Sequence, residues 1–170
     1  NTVSPDSFVD KYGSDTFRCY LMFMGPFDEG GDWNDKGIKG IDRFLKRSYR
    51  LCGNLTEKVD KKTDFIHHST IKGVSNDLKQ MKFNTAISKL MEYVNNFLNF
   101  GISDAMRNDF IKMLAPFAPH LAEEIWSKIG KESVFTQNWP KYDDSKLESS
   151  VKNVIIQVNG KLRGNIEIEE

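Results

Sequence analysis

Lys36, Lys39, Arg43, Lys46, Arg47 and Arg50 recur at three- and four-residue spacing. On a helix of about 100° per residue they fall within an arc of roughly 100°. Ile38, Ile41, Phe44, Leu45, Tyr49, Leu51 and Cys52 occupy the opposite arc. The stretch is therefore expected to bury one face and to present six cations, with no acid among them, on the other. Like charges four residues apart destabilise a helix by a few tenths of a kcal/mol each, so solvated faces usually mix signs. An anionic partner would relieve the repulsion. Phosphates strung along a nucleic-acid backbone fit such a row, and arginine grips them with paired N–H donors. A plain solvated helix face is the alternative on charge alone.

Other residue types capable of chemistry point elsewhere. His67 and His68 are neighbours, so they face different sides of a helix and make a poor metal pair. His120, behind Pro119, reads as a hydrogen-bonded packing residue, and Glu123 and Glu124 as helix-surface charges. Trp33, Trp126 and Trp139 read as core or interdomain packing residues. Lys161 and Arg163 lie on the polar side of a hairpin, where they are solvated or touch RNA. There is no glycine-rich phosphate cradle, nucleophile elbow or Ser/His/Asp set. No catalytic, metal or cofactor residue is expected. Reading single bases calls for exposed aromatic platforms, whereas the aromatic residues here fall mostly at core spacing.

The elements that must carry these residues are mainly helical. Ser4-Pro5-Asp6 starts a short helix, with Ser4 as its cap, that ends near Tyr12-Gly13. Ser14 or Asp15 caps a second, through Tyr20 and Met24, which Gly25-Pro26 stops. Asn34 caps the basic helix, which runs to about Cys52, and residues 53–63 are polar and turn-like. His67, Ile71, Val74, Leu78 and Met81 mark one long helix; Ile87, Leu90, Met91, Val94, Phe97 and Leu98 mark another. Ser103 caps a helix holding Phe110, Met113 and Leu114. Residues 115–119 turn into a last helix through Leu121, Ile125, Trp126 and Ile129, closed by Gly130. After residue 150 the period falls to two, and Asn159-Gly160 turns a hairpin. A three-residue loop sets Val158 opposite Leu162, Ile156 opposite Gly164 and Val154 opposite Ile166, which gathers the apolar residues on one face. A two-residue loop would instead set Val158 opposite Lys161.

Composition bounds the rest. The 170 residues carry 24 Lys+Arg and 24 Asp+Glu, for zero net charge, which excludes a uniformly basic nucleic-acid binder. The balance hides an asymmetry: residues 1–35 are net −5 and residues 36–50 net +5. Twelve Phe, three Trp and five Tyr argue against a disordered chain, and no apolar run approaches the roughly 18 residues of a membrane span. Two cysteines give neither a disulfide framework nor a zinc motif, so a reducing cytoplasm is expected. The start at Asn1 resembles neither a signal peptide nor an initiator, so a piece of a longer chain is expected.

The motifs together resemble class I aminoacyl-tRNA synthetases, and within them the leucyl-tRNA synthetase family. Residues 4–18, from Ser4 to Arg18, are similar to the segment after that class's KMSKS loop. Asp32-Trp33-Asn34-Asp35-Lys36-Gly37-Ile38 with Gly40, and then Arg43-Phe44-Leu45-Lys46-Arg47, resemble the leucyl branch. So do Thr70-Ile71-Lys72, Phe83-Asn84-Thr85-Ala86-Ile87, Ala115 through Trp126, and the hairpin from Val158 to Gly164. The valyl and isoleucyl families share the architecture and stay as the alternative, beside a helical scaffold that binds an acidic protein.

The resemblance implies a mainly α fold: an anticodon-binding-like helix bundle with a C-terminal β-hairpin. Residues 1–35 would connect to the catalytic domain, 36–150 would form the tRNA-docking bundle, and 151–170 would open a truncated C-terminal domain. The parent enzyme would charge tRNA(Leu) with leucine, using ATP and magnesium in an upstream Rossmann-like domain; both ATP-binding signatures lie outside this chain. The bundle would hold the tRNA's inner corner and stem without reading the anticodon. Arg43 and Arg47 match the family's Arg-Phe-Leu-x-Arg helix; Lys39, Lys46 and Arg50 join them on geometry. The implied partners are tRNA(Leu) and the upstream catalytic domain, with no membrane and a monomeric state.

Overall fold

Among the described residues seven α-helices precede a hairpin: α1 (Asp6–Tyr12), α2 (Ser14–Phe23), α3 (Gly37–Cys52), α4 (Lys61–Lys79), α5 (Phe83–Phe97), α6 (Asp104–Leu114) and α7 (Pro119–Ser127), then β1 (Val151–Val158) and β2 (Lys161–Glu169). The computed structural model describes residues 4–31, 33–34, 36–130, 132–147, 151–158 and 161–169, the last two stretches through their backbone. The expected mainly α architecture with a C-terminal hairpin is what forms.

One apolar core joins the helices. Ile38, Ile41, Phe44, Leu45 and Leu51 of α3 meet Ala86, Ile87, Leu90 and Val94 of α5, with Phe110 and Leu114 of α6 and Ala122 and Ile125 of α7 in the same cluster. α2 packs on α3, α5 and α7, and α4 lies along α5. Beside this core, Trp33 sits among Phe8, Phe17 and Tyr20, with ring centroids 4.6, 5.8 and 5.1 Å away. A polar chain crosses between helices: His67 Nδ1 lies 3.0 Å from the Tyr93 hydroxyl and Nε2 lies 3.3 Å from Asp109 Oδ2. His67 is thus a satisfied buried histidine rather than a ligand.

The entry to α3 is clamped. The Tyr20 hydroxyl donates to the Asn34 carbonyl at 2.7 Å and accepts from the Asn34 N–H at 3.0 Å. Asn34 does not cap α3 directly; its Oδ1 accepts the Lys36 N–H at 2.8 Å and folds the turn before the helix. Gly37 is required by close approach, since a Cβ there would lie 2.7 Å from the buried Tyr20 ring.

Helix starts differ from the expected caps at several points, and one is set by a partner distant in sequence. Ser4 donates to Asp6 Oδ2 at 3.0 Å and caps nothing. Neither Ser14 nor Asp15 caps α2, which begins behind Gly13 at φ 84°, a region glycine enters without strain. Asp15 instead serves α7, accepting the Leu121 N–H at 2.7 Å and pairing with His120 Nδ1 at 2.8 Å. Asp60 and Thr63 form a reciprocal capping box at the head of α4, inside the stretch read as polar and turn-like. Ser103 does cap α6, accepting from the Met106 N–H. Met81 leaves the helical pattern: it is 47% exposed at φ 56° in the turn between α4 and α5. Ile129, expected in the last helix, lies beyond its end and is exposed.

In the hairpin, Val154 pairs with Ile166 and Ile156 with Gly164, as the three-residue loop requires. A bulge between Ile156 and Gln157 then shifts the register, so that Val158 pairs with Lys161 rather than Leu162. One extra residue on β2 reconciles a two-residue connection with the outer register. The expectation for the Lys161 and Arg163 side chains lies outside what is described.

Two outcomes test this packing. Burial pushes the thiols of Cys19 and Cys52 up to about 12, from 9.0. Both should resist a disulfide-exchange reagent at pH 8 until denaturant unfolds the chain. Because the folded state holds these thiols protonated, stability should also fall as pH rises from about 9 toward 12. Gly37→Ala should lower stability by about 1–3 kcal/mol in a urea titration, since the Tyr20 ring has no room to yield.

Candidate nucleic-acid interface

The apolar face of α3 fixes its rotation, and that rotation decides where the cations go. Ile38, Ile41, Phe44, Leu45, Ser48, Leu51 and Cys52 are buried. Six of these were expected from spacing; Ser48 joins them by donating its hydroxyl to the Phe44 carbonyl at 2.9 Å, which satisfies it inside the helix. Tyr49, placed on the buried arc from sequence, is instead 45% exposed at its margin.

Lys36, Lys39, Arg43, Lys46 and Arg50 are exposed, and Arg47 is half-buried. Among the described residues Lys39, Arg43, Arg47 and Arg50 have no ion-pair partner. Lys46 does: its ammonium lies 2.8 Å from Asp42 Oδ2, one helical turn back. Asp42 falls about 40° outside the cationic arc, close enough for its carboxylate to reach the edge of the row. The face is therefore not wholly free of acid, and this corrects the expectation at one position. Lys46 keeps most of its side chain in solvent, and an exposed pair of this kind contributes at most about 1 kcal/mol.

A further cation, Lys128 just past the end of α7, meets the exposed Tyr49 of α3. The Lys128 ammonium donates to the Tyr49 hydroxyl at 2.9 Å, lies 5.1 Å from that ring's centroid, and pairs with Glu124 Oε1 at 2.7 Å. The hydrogen bonds it donates, to Glu124 first and then to Tyr49, hold its pKa above the ordinary lysine value. Spacing along one helix could not reveal it, because α7 brings it in. Glu123 is not merely a surface charge, since its Oε2 accepts the Val134 N–H at 2.9 Å and caps the 3-10 turn Val134–Thr136. His120 has the expected hydrogen bond to Asp15, yet its side chain is 78% exposed.

The expectation about aromatic residues needs the larger correction. Trp126 is buried, but Phe100, Phe27 and Phe135 are 78%, 67% and 59% exposed, and Trp139 and Tyr142 are open by more than a third. Trp139 sits on the surface rather than in a core. Among the described residues no three His, Cys, Asp or Glu side chains converge as a metal site would require, and no helix is long and apolar enough to cross a membrane.

The model for the anticodon-binding domain of tRNA ligase matches residues 66–170. The leucine–tRNA ligases of Caldanaerobacter subterraneus subsp. tengcongensis and Clostridium botulinum are 40% and 39% identical, each across 99% of this chain. The chain spans about a quarter of the length of those curated relatives. Among solved structures, the agnB2 LeuRS of Agrobacterium radiobacter K84, crystallised as a ternary complex with tRNA and LeuAMS, matches with a TM-score of 0.78 and 25% identity. That match covers 99% of this chain and 25% of the other.

Asp42→Asn should release Lys46 to the row. Binding of a short duplex RNA, titrated at several salt concentrations, should tighten, and its salt slope should steepen by up to about 0.9, the increment for one further phosphate contact.

Proposed function

The chain belongs to the anticodon-binding domain family of tRNA ligases, and we propose that it is the tRNA-docking part of a leucine–tRNA ligase. In this reading the parent enzyme joins leucine to tRNA(Leu) with ATP and magnesium, in a catalytic domain upstream of this chain. The sequence has no glycine-rich cradle, and among the described residues no three His, Cys, Asp or Glu side chains converge, so this part of the chain is not built like an ATP site. Residues 1–35 would connect to that domain, 36–150 would dock the tRNA, and 151–170 would open the C-terminal domain of a monomeric, cytoplasmic enzyme.

The observation that carries the reading is the α3 face, where Lys39, Arg43, Arg47 and Arg50 stand on one helix without ion pairs among the described residues. Cations at fixed spacing hold sugar-phosphate by shape and charge, so this face positions the tRNA without selecting a base. Lys46 contributes less, because binding must first draw it from Asp42. The isolated chain would have no aminoacylation activity.

Replacing Arg43 and Arg47 together with alanine should weaken binding of tRNA(Leu) and lower the salt slope by about 2. Both side chains leave the core intact, so circular dichroism should be unchanged. A wild-type slope in this variant would remove α3 as the docking face.

A further inference from the structure

Trp139, Tyr142, Lys79 and Lys141 line an open groove of about 560 Å³ between the last turns of α4 and residues 139–144. Trp139 is held in place there. Its Nε1–H donates to Ser75 Oγ at 2.8 Å, and Ser75 Oγ donates in turn to the Ile71 carbonyl at 2.6 Å. Tyr142 is steadied by the Lys72 ammonium, 5.1 Å from its ring centroid, which Asp144 anchors at 3.1 Å. The rings keep 37% and 38% of their surface open. Lys79 and Lys141 are exposed, and neither has an ion-pair partner among the described residues. Asp144, which also lines the groove, is neutralised by Lys72.

Two positioned rings beside two unpaired cations complement a polyanion whose units each carry a flat π face. A duplex backbone would need only the cations, and an apolar peptide only the rings. Aromatic stacking with flanking lysines is how single strands are held without base-specific hydrogen bonds. We infer that this groove takes one or two unstacked nucleotides of a single-stranded RNA segment, the base stacking on Trp139 or Tyr142 and the flanking phosphates held by Lys79 and Lys141. That the nucleic acid is RNA rests on the tRNA-docking reading; the groove's own chemistry is independent of α3.

The test titrates the chain with a short mixed-sequence single-stranded oligoribonucleotide and with the blunt duplex of the same sequence, following tryptophan fluorescence and salt dependence. W139A and Y142A should each weaken single-strand binding at least about fivefold while leaving the duplex unchanged. W139F, which keeps a stacking ring, should retain binding but lose the fluorescence response. K79A/K141A should lower the single-strand salt slope by about 1.4. R43A/R47A should lower duplex binding and leave the single-strand response intact, which separates failure of the groove from failure of α3. The proposal is overturned if W139A and Y142A bind the single strand within roughly twofold of wild type, or if single-strand and duplex affinities fall together. Single-strand binding that W139A weakens but that does not depend on salt would mean stacking without phosphate contacts at Lys79 and Lys141, and would also overturn it. Should W139A fail to fold, Y142A and W139F decide the outcome.

Discussion

Burial of one side of α3 sets the orientation on which everything outside it depends. Ile38, Ile41, Phe44, Leu45 and Leu51 are each at most 6% exposed. At about 1.5–3 kcal/mol for each buried large aliphatic or aromatic side chain, their burial favours this rotation by on the order of 10 kcal/mol. Mutual repulsion among the six cations opposes it by a few tenths of a kcal/mol for each near pair. The apolar term wins by a wide margin, so the helix tolerates a face that would be unfavourable if it were isolated. The Tyr20–Asn34 clamp and the tight seat of Gly37 then fix where the row begins. No flexible loop carries the charges, so little ordering entropy opposes binding along them.

Legibility from sequence followed the range of each interaction. Helical periods in α3, α4 and α5 arise from side chains one turn apart, and the buried residues there were readable from spacing. Caps were readable only where they are local. Ser103 bonds three residues ahead, whereas Asp15 bonds across more than a hundred residues to Leu121 and leaves its own helix uncapped. Met81 shows the opposite error: an apolar residue in perfect register falls in a turn, because Lys82 N–H bonds back to the Asp77 carbonyl at 2.8 Å and ends the helix. In the hairpin, side-chain alternation and loop length gave conflicting registers, and a bulge satisfies both.

The cationic face of α3 was legible in the same way. Periodicity located its cations but not the reach of Asp42, whose carboxylate approaches from beside the arc. Nor could it locate Lys128, which belongs to another helix. The exposed aromatic residues were hidden for a different reason. An aromatic residue near a helix is normally core, and only tertiary structure distinguishes Trp126, at 8% exposure, from Trp139. The difference lies in a single polar handle: the Trp139 indole bonds to Ser75 on the outer side of α4, so its ring lies along the surface instead of entering the bundle.

That contrast separates two ways in which a helical bundle can hold a nucleic acid. The α3 row is charge without rings, so in the proposed reading it would grip a backbone wherever phosphates recur at its spacing and be indifferent to base identity. The groove beside α4 has rings with fewer charges, so it gains most from a strand whose bases are already unstacked, because unstacking a paired base costs a few kcal/mol. A folded RNA offers both features only where a stem adjoins a loop or a free end. If both proposals hold, the chain would be matched to a molecule with stems and unpaired segments in one rigid shape. Neither surface by itself would tell such a molecule from a plain duplex or from an unstructured strand.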